Sequence, residues 1–263
     1  MLEGSRRTPQ RIGAPAIEPF AQGRYLVRWA DCEPDLDAAL RLRFEVFNEE
    51  LGEGLEASRS TGRDEDGFDA FCHHLLVEDR VTGVVIGTYR MQTEEMARAG
   101  GGFYSDGEFH LEDLPTEVRA LAVEVGRACI ARGHRSRTVL FLLWRGLARY
   151  LTATGSRYFF GCCSLTGTDP ALGQRARLGL ASADQVHPTI RVRVRAGLEC
   201  PPIAPAPGAF ELPALFRTYM RYRSLVVSPP AIDREFGTVD FLVLFDLLGL
   251  DARSRRMFFG GAA

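Results

Sequence analysis

Lysine is missing from this 263-residue chain, and all 32 of its Lys+Arg positions are arginine. A Schiff-base nucleophile and the lysine-bearing phosphate loop of nucleotide-binding proteins are therefore excluded. No apolar run reaches the roughly 18 residues of a membrane span, and none follows Met1, so neither a spanning helix nor a secretory signal is expected. The six cysteines, Cys32, Cys72, Cys129, Cys162, Cys163 and Cys200, lack paired-motif spacing. This fits a reduced, cytoplasmic compartment. Cys72-His73-His74 has no second cluster at ligand spacing, so no metal centre is expected. The absence of Gly-x-Ser-x-Gly removes the nucleophile elbow and favours direct group transfer over a covalent enzyme intermediate.

What is present is a marked polarity of charge. The net charge is −2, yet Asp31 to Asp69 holds 13 acidic residues against 4 arginines, and Arg127 to Arg195 holds 12 arginines against 2 acids. The second region should attract an anionic partner. Its aromatics Phe141, Trp144 and Phe160 fall in segments that read as core, so no stacking platform for nucleic acid is expected. Hydrophobic residues make up 46 %, ample for a buried core.

The organising stretch is Leu121 to Leu151. It reads as a buried strand ending in Glu124-Val125-Gly126-Arg127, an arginine-rich turn, and a helix whose Leu140, Leu143, Leu147 and Leu151 recur at helical spacing. A helix N-terminus beside Arg132, Arg135 and Arg137 is an anion-binding arrangement. An ordinary core strand and helix joined by a solvated basic turn satisfies the same pattern.

Around this stretch, residues 1–23 read as a mobile arm, 24–250 as the folded domain and 251–263 as a basic, aromatic tail. Arg24 to Trp29 suggests a first strand. Asp31, Asp35 and Asp37 are cap candidates for a helix through Leu36, Leu40, Phe44 and Phe47. Gly52 to Asp69 is acidic and too long for a turn, which suggests a substrate-covering loop. His73 to Glu78 and Val84 to Met91 read as a hairpin, and Tyr158 to Cys163 as a short strand. Thr189 to Arg195 alternates apolar residues with arginines, as a strand with one basic face would. Leu215 to Tyr222 reads as helix and Val239 to Phe245 as a strand buried on both faces. The tail can dock on the domain or lie on an anionic membrane surface.

Four stretches in order, Arg43-x-x-Val46-Phe47, Asp66-x-Phe68-Asp69, Gly87-Thr88-Tyr89-Arg90 and Glu124-Val125-Gly126-Arg127, resemble the GNAT acyltransferases. They are most similar to the acyl-carrier-dependent branch that contains the acyl-homoserine lactone synthases and the L-ornithine N-alpha-acyltransferases. Leu143-Trp144-Arg145-Gly146, Gly161-Cys162, Gly167-Thr168-Asp169-Pro170, Pro230-Ala231-Ile232-Asp233 and Thr238-Val239-Asp240 look more like the ornithine enzymes. The resemblance spans about Arg24 to Phe245. It implies an α/β fold with a mixed, mostly antiparallel twisted sheet flanked by helices on both faces.

The activity implied is transfer of a long 3-hydroxyacyl chain from acyl carrier protein to the α-amine of an amino acid, most simply ornithine, with acyl-CoA as an alternative donor and no bound cofactor. A related N-acyl amino acid synthase, a lactone synthase, or a non-catalytic carrier- or membrane-binding module are the alternatives. The usual acetyl-CoA pyrophosphate turn is not matched by Ala131-Arg132-Gly133-His134-Arg135-Ser136. The basic turn suits one phosphopantetheine phosphate and an acidic carrier helix, which assigns Arg132, Gly133, His134, Arg135 and Arg137 to carrier binding. Glu124 is then the expected base or amine orienter, with the backbone of Val125 and Gly126 near the thioester oxygen. Arg43, Asp66, Asp69, Arg90 and Arg127 are expected either to bind substrate or to form an ion-pair network holding the acidic loop. Peripheral contact with the inner face of the cytoplasmic membrane is a further expectation.

Overall fold

The computed structural model describes residues 12–205, 208 and 211–259. In chain order the elements are β1 (Phe20–Gln22), β2 (Tyr25–Trp29), α1 (Glu33–Phe44), β3 (His73–Asp79), β4 (Val84–Thr93), α2 (Glu94–Gly100), α3 (Thr116–Arg119), β5 (Ala122–Ile130) and α4 (Arg137–Thr154). They continue with β6 (Tyr158–Thr166), α5 (Pro170–Ser182), α6 (Ala214–Arg221), β7 (Leu225–Val226), β8 (Ala231–Asp233), β9 (Thr238–Asp246) and α7 (Ala252–Phe259). The strands form one sheet in the order β1-β2-β3-β4-β5-β6-β9-β7, with β8 also on β9. All these pairs are antiparallel except β5–β6. This is the GNAT-like architecture expected from the sequence, with helices on both faces.

Side-chain alternation sorts the strands into two layers. Val123 and Val125 of β5, Phe159 and Cys163 of β6, and Phe241 and Val243 of β9 join the core under α4, α5, α6 and α7. On the other face, Phe160 and Leu242 pack with Phe103, Phe109 and Leu111. Leu76, Val85 and Cys129 pack there against α1. The helix α4 begins where Ser136 accepts a hydrogen bond from the Val139 N–H (3.3 Å), and Leu143, Leu147 and Leu151 are its buried stripe. Gly146 lets it lie close to the sheet, since a Cβ there would sit 2.5 Å from Leu75 Cδ2. Trp144 gathers the outer helices, stacking on Phe258 of α7 and meeting Tyr219 of α6.

Several expectations are corrected. Residues 20–22 are a strand paired with β2, and Phe20 lies under Arg145 and Arg149 of α4, so the domain begins before Arg24. The rest of the expected arm, residues 1–11, lies outside the described residues. The docked reading of the tail, by contrast, holds for α7, whose Phe258 is 5 % exposed. Residues 260–263 of it are likewise not described. No aspartate holds the cap of α1: Cys32 is at the cap position, its side chain capping none of the helix N–H groups, and Asp35 receives the Arg28 guanidinium at 2.6 and 2.7 Å. Beyond Phe44 the helix widens into a π-helical stretch, Glu45–Leu51, ending at Gly52 in the left-handed region.

The alternating 189–195 segment is not a strand of the sheet. Val192 and Val194 are buried as the alternation implied, but Arg191 is taken by the His187 and Ile190 carbonyls, Arg193 by Asp113 and Arg195 by the Asp106 carbonyl, so all three of its arginines are spoken for. Likewise Gly167-Thr168-Asp169-Pro170 is a helix start. Asp169 accepts from the Ala171 N–H (2.9 Å), and Pro170 opens α5.

Candidate active site

The parallel ladder between β5 and β6 is short. It pairs Ala122, Val123 and Glu124 with Tyr158, Phe159 and Phe160, and then the strands part. Gly161 marks the fork: a Cβ there would lie 2.2 Å from the Val125 carbonyl oxygen, so a side chain at this position would collide with β5. Beyond the fork a cavity of about 160 Å³ passes through the sheet. Tyr89, Cys163 and Tyr219 line it on the α4 side. Arg90, Glu124, Cys162 and Asp240 line it on the α1 side. Gly126 faces it, with open space where a side chain would be.

On the other edge β5 is bulged. Thr88 pairs with Cys129 but Arg90 pairs with Gly126, leaving one extra residue on β5, and Arg127 takes φ +50° there. The bulge re-aims the Arg127 side chain toward the acidic loop. Arg43, Arg90 and Arg127 converge on Asp64, Asp66 and Asp69. Arg43 donates to Asp64 (2.8 Å) and Asp69 (2.7 Å), Arg90 to Asp66 (2.6 Å) and Asp69 (3.1 Å), and Arg127 to Asp64 (3.1 Å) and Asp66 (3.2 Å). Arg43 is fully buried.

Burial pushes the Asp69 carboxyl up, but Arg43 and Arg90 reverse this and hold it well below the ordinary range. Burial likewise raises Asp66, and Arg90 and Arg127 bring it below its usual value. Tyr104 and Phe236 cover Arg127 at 4.7 and 4.5 Å. The three arginines are thus neutralised within a closed network that pins the 52–69 loop to the sheet. His74 donates from Nε2 to the Asp69 carbonyl (3.1 Å), and burial drives its ring down to about 4.

Glu124 sits on the same face as Arg90 but outside this network. Its carboxylate accepts from the Tyr104 N–H (2.9 Å), the Ser105 N–H (2.8 Å) and the Ser105 hydroxyl. Burial still raises its pKa above the usual value, although these donors and Arg90 oppose the shift. Glu124 therefore anchors the 103–107 turn as well as facing the cavity. Further along the same face are Asp240 on β9 and Glu108 behind Cys162, two acids that are 3 % and 5 % exposed. Burial, Asp240 and Asp233 push Glu108 up to about 10, and burial lifts Asp240 to about 6. Glu53, buried and raised, approaches from the 52–69 loop and accepts from Thr166. Among the described residues, none of Glu53, Glu108, Glu124 and Asp240 has an ion-pair partner within 4.0 Å.

A second opening, an apolar groove of about 420 Å³, runs from the N-terminus of α4 to the fork. Phe47, Tyr89, Ala128 and Leu215 border both it and the cavity. Its mouth is the arginine turn. Arg132, Gly133 and Arg137 are exposed, and His134 is half-buried with its ring edge to Tyr25. Arg135 differs from its neighbours, because Glu50 takes its guanidinium at 2.6 and 2.7 Å.

The acetyltransferase (GNAT) domain family matches residues 42–145, a span that runs from Leu42 into α4 and holds the β5 arm of the fork. The chain is 32 % identical over 253 residues to the L-ornithine N(alpha)-acyltransferase of Brucella abortus (strain 2308), covering 88 % of this chain and 87 % of that one. It is 31 % identical over 264 residues to the enzyme of the same name from Rhizobium meliloti (strain 1021), covering 92 % and 87 %. The chain belongs to the L-ornithine N(alpha)-acyltransferase family. It is an acyltransferase. Among solved structures, FeeM, an N-acyl amino acid synthase from uncultured soil microbes, superposes with a TM-score of 0.53 at 12 % identity over 89 % of this chain and 96 % of that one. The AHL synthase LasI gives 0.50 at 16 % over 91 % and 96 %. At these identities the likeness is one of fold.

Arg43, Asp66, Asp69, Arg90 and Arg127 meet, and Glu124, Val125 and Gly126 lie at the fork. Sequence reasoning missed Asp64, Glu108, Asp240 and the Tyr89–Tyr219 hydroxyl pair (2.7 Å), and it did not foresee Glu50 on Arg135. Asp64 had a signal in its place at the head of the acidic run. Asp240 had one in Thr238-Val239-Asp240, a stretch that resembles the ornithine enzymes, and the others are joined only by the fold.

Proposed function

We propose that this chain transfers a long 3-hydroxyacyl group from the phosphopantetheine thioester of acyl carrier protein to the α-amine of L-ornithine, giving lyso-ornithine lipid. The fork between β5 and β6 carries the reading, because it joins a groove under a basic turn to a cavity walled by carboxyls. The names of the relatives supply the acceptor.

In this reading the acyl donor lies in the groove with its carbonyl at the fork. The backbone of Val125 and Gly126, where the ladder ends and Gly161 leaves room beside the Val125 carbonyl, borders the thioester oxygen. The amine nitrogen attacks the carbonyl carbon, a C–N bond forms and the C–S bond breaks. Glu124 accepts the amine proton, directly or through water, and the thiolate takes a proton. Tyr89 and Tyr219, kept protonated by burial, are the hydroxyl donors in the cavity wall. Arg132, Arg137, Gly133 and His134 meet the phosphate and the acidic carrier, while Arg135 shapes the turn through Glu50.

No helix among the described residues is long and apolar enough to cross a membrane. Delivery of the product fits peripheral contact with the inner face of the cytoplasmic membrane through exposed Arg253, Arg256 and Met257 of α7, leaving the protein otherwise cytoplasmic.

The test is thiol release and product mass with 3-hydroxypalmitoyl carrier protein, or the matching acyl-CoA, against ornithine and other amino acids. Acylornithine formed with the carrier and little with CoA is expected. Efficient use of CoA would remove the carrier from the reading.

A further inference from the structure

The α1 side of the cavity ends in a polar row that the acyl-transfer chemistry does not use. Glu124 receives the Ser105 hydroxyl, that hydroxyl lies 3.5 Å from the Cys162 thiol, and the thiol donates to Glu108 (3.5 Å). Asp240 closes the row, with ligand atoms of Glu108, Cys162 and Asp240 all within 4.8 Å of one another. Asp240, opposite Ser164 on β6, accepts from the Thr238 hydroxyl at Oδ2 (3.0 Å) and is also served by the Ser164 hydroxyl, but Glu108 Oε2 and Asp240 Oδ1 are buried and have no donor. The two carboxyls can share a proton when the cavity is empty. No arginine or histidine among the described residues pairs with them, in a chain that elsewhere satisfies its buried aspartates with arginine. Uncompensated buried carboxyls are costly, and a cationic ligand is the usual compensation.

We propose that Glu108 and Asp240, with Cys162 and Ser164 beside them, are the subsite for the side-chain ammonium of a diamino-acid acceptor. The inference rests on the acyl-transfer reading and adds the residues that select the acceptor. The row begins at Glu124, where the α-amine reacts, and runs away from the thioester. A diamino acid lying along it places one nitrogen at the fork and the other between Asp240 and Glu108. The ammonium supplies donors to both orphaned oxygens and takes the place of the shared proton. An acceptor without that group leaves two buried carboxyls unpaired, the situation in which a site discriminates strongly.

The experiment compares ornithine with norvaline, which has the same carbon skeleton but no side-chain amine, as acceptors for the full-length protein with one acyl donor. In the unaltered protein kcat/KM for ornithine is expected to exceed that for norvaline at least about 100-fold, with much of the difference in acceptor KM. Asp240→Asn should cut this ratio at least about tenfold, and Glu108→Gln should act in the same direction, with donor KM unchanged. Thermal melting of both variants checks folding, and calorimetric binding of ornithine to the unaltered protein reads the subsite without any variant.

Equal use of norvaline and ornithine by the unaltered protein would overturn the subsite while leaving acyl transfer intact. Acylation of no amine at all would instead defeat the acyl-transfer reading. Loss of activity on chelation, restored by a divalent cation, would assign Glu108, Cys162 and Asp240 to a metal and overturn the ammonium assignment.

Discussion

Arg43 of α1 and Arg127 of β5 donate their Nε groups to the same oxygen, Asp64 Oδ2, at 2.8 and 3.1 Å. One carboxylate from the 52–69 loop therefore ties a helix to the bulged strand that forms the fork. Both arginines are buried, as is Asp64, so each charge depends on the others for its compensation.

Removing that shared acceptor should be expensive. Asp64→Ala leaves two guanidinium groups short of a partner and is expected to lower unfolding stability by about 3–5 kcal/mol, measured by urea denaturation. The loop should at the same time become sensitive to limited proteolysis. A loss below about 1 kcal/mol would mean the network is dispensable.

Acid should weaken the fold through this same region. The folded pKa of His74 lies at about 4, below its unfolded value near 6.5, so the unfolded chain binds the extra proton first. Its contribution is complete above about pH 6.5 and is lost as pH falls toward 4, with a slope of up to about 1.4 kcal/mol per pH unit. Asp66 and Asp69, also depressed, act in the same direction below about pH 4. His74→Gln, whose amide can still donate to the Asp69 carbonyl, should flatten the profile between pH 6.5 and 4. An unchanged slope in pH-dependent denaturation would contradict the assignment.

Glu124 accepts three donors, and an amide in its place turns an –NH2 toward some of them. Glu124→Gln is expected to keep the fold by circular dichroism while lowering kcat about 100-fold or more. Ser105→Ala removes one donor and keeps the carboxylate, so it should retain most turnover. If both variants lose activity equally, the role of Glu124 is to hold the 103–107 turn.

The arginine turn separates into two kinds of residue. Arg132→Glu with Arg137→Glu should raise the KM for the carrier-borne donor about tenfold or more and leave a short pantetheine thioester unaffected. Arg135→Glu faces Glu50 and should instead lower thermal stability. Equal effects of the double variant on both donors would remove the turn from carrier docking.

Gly161→Ala should jam the fork, since the new Cβ falls 2.2 Å from the Val125 oxygen. Destabilisation of about 1–3 kcal/mol with loss of turnover is expected from thermal melts and rate assays.

The parts legible in the sequence were those with local pattern: the helical stripe of α4, the apolar strand at β9, and the opposition of an acidic loop to Arg43, Arg90 and Arg127. The cap of α1 was misread because Asp35 lies inside the first turn, where its carboxylate takes both the Arg28 guanidinium and the Asp31 N–H. The segment around Val192 alternates like a strand, yet its backbone reaches the rest of the fold through single bridges. The Glu108–Asp240 pairing left no trace, since the residues are remote in sequence and on different elements. Only the register that sets Asp240 beside Ser164 brings it to the cavity.

The central claim is tested most directly by where the acyl group lands. The purified protein would be given 3-hydroxypalmitoyl carrier protein and ornithine, and the product sequenced by fragmentation mass spectrometry. The account predicts acylation on the α-amine with the side-chain amine free, because the latter is held between Glu108 and Asp240 while the former meets the thioester beside Glu124. Acylation on the side-chain amine, or thioester hydrolysis without any acylated amine, would contradict it.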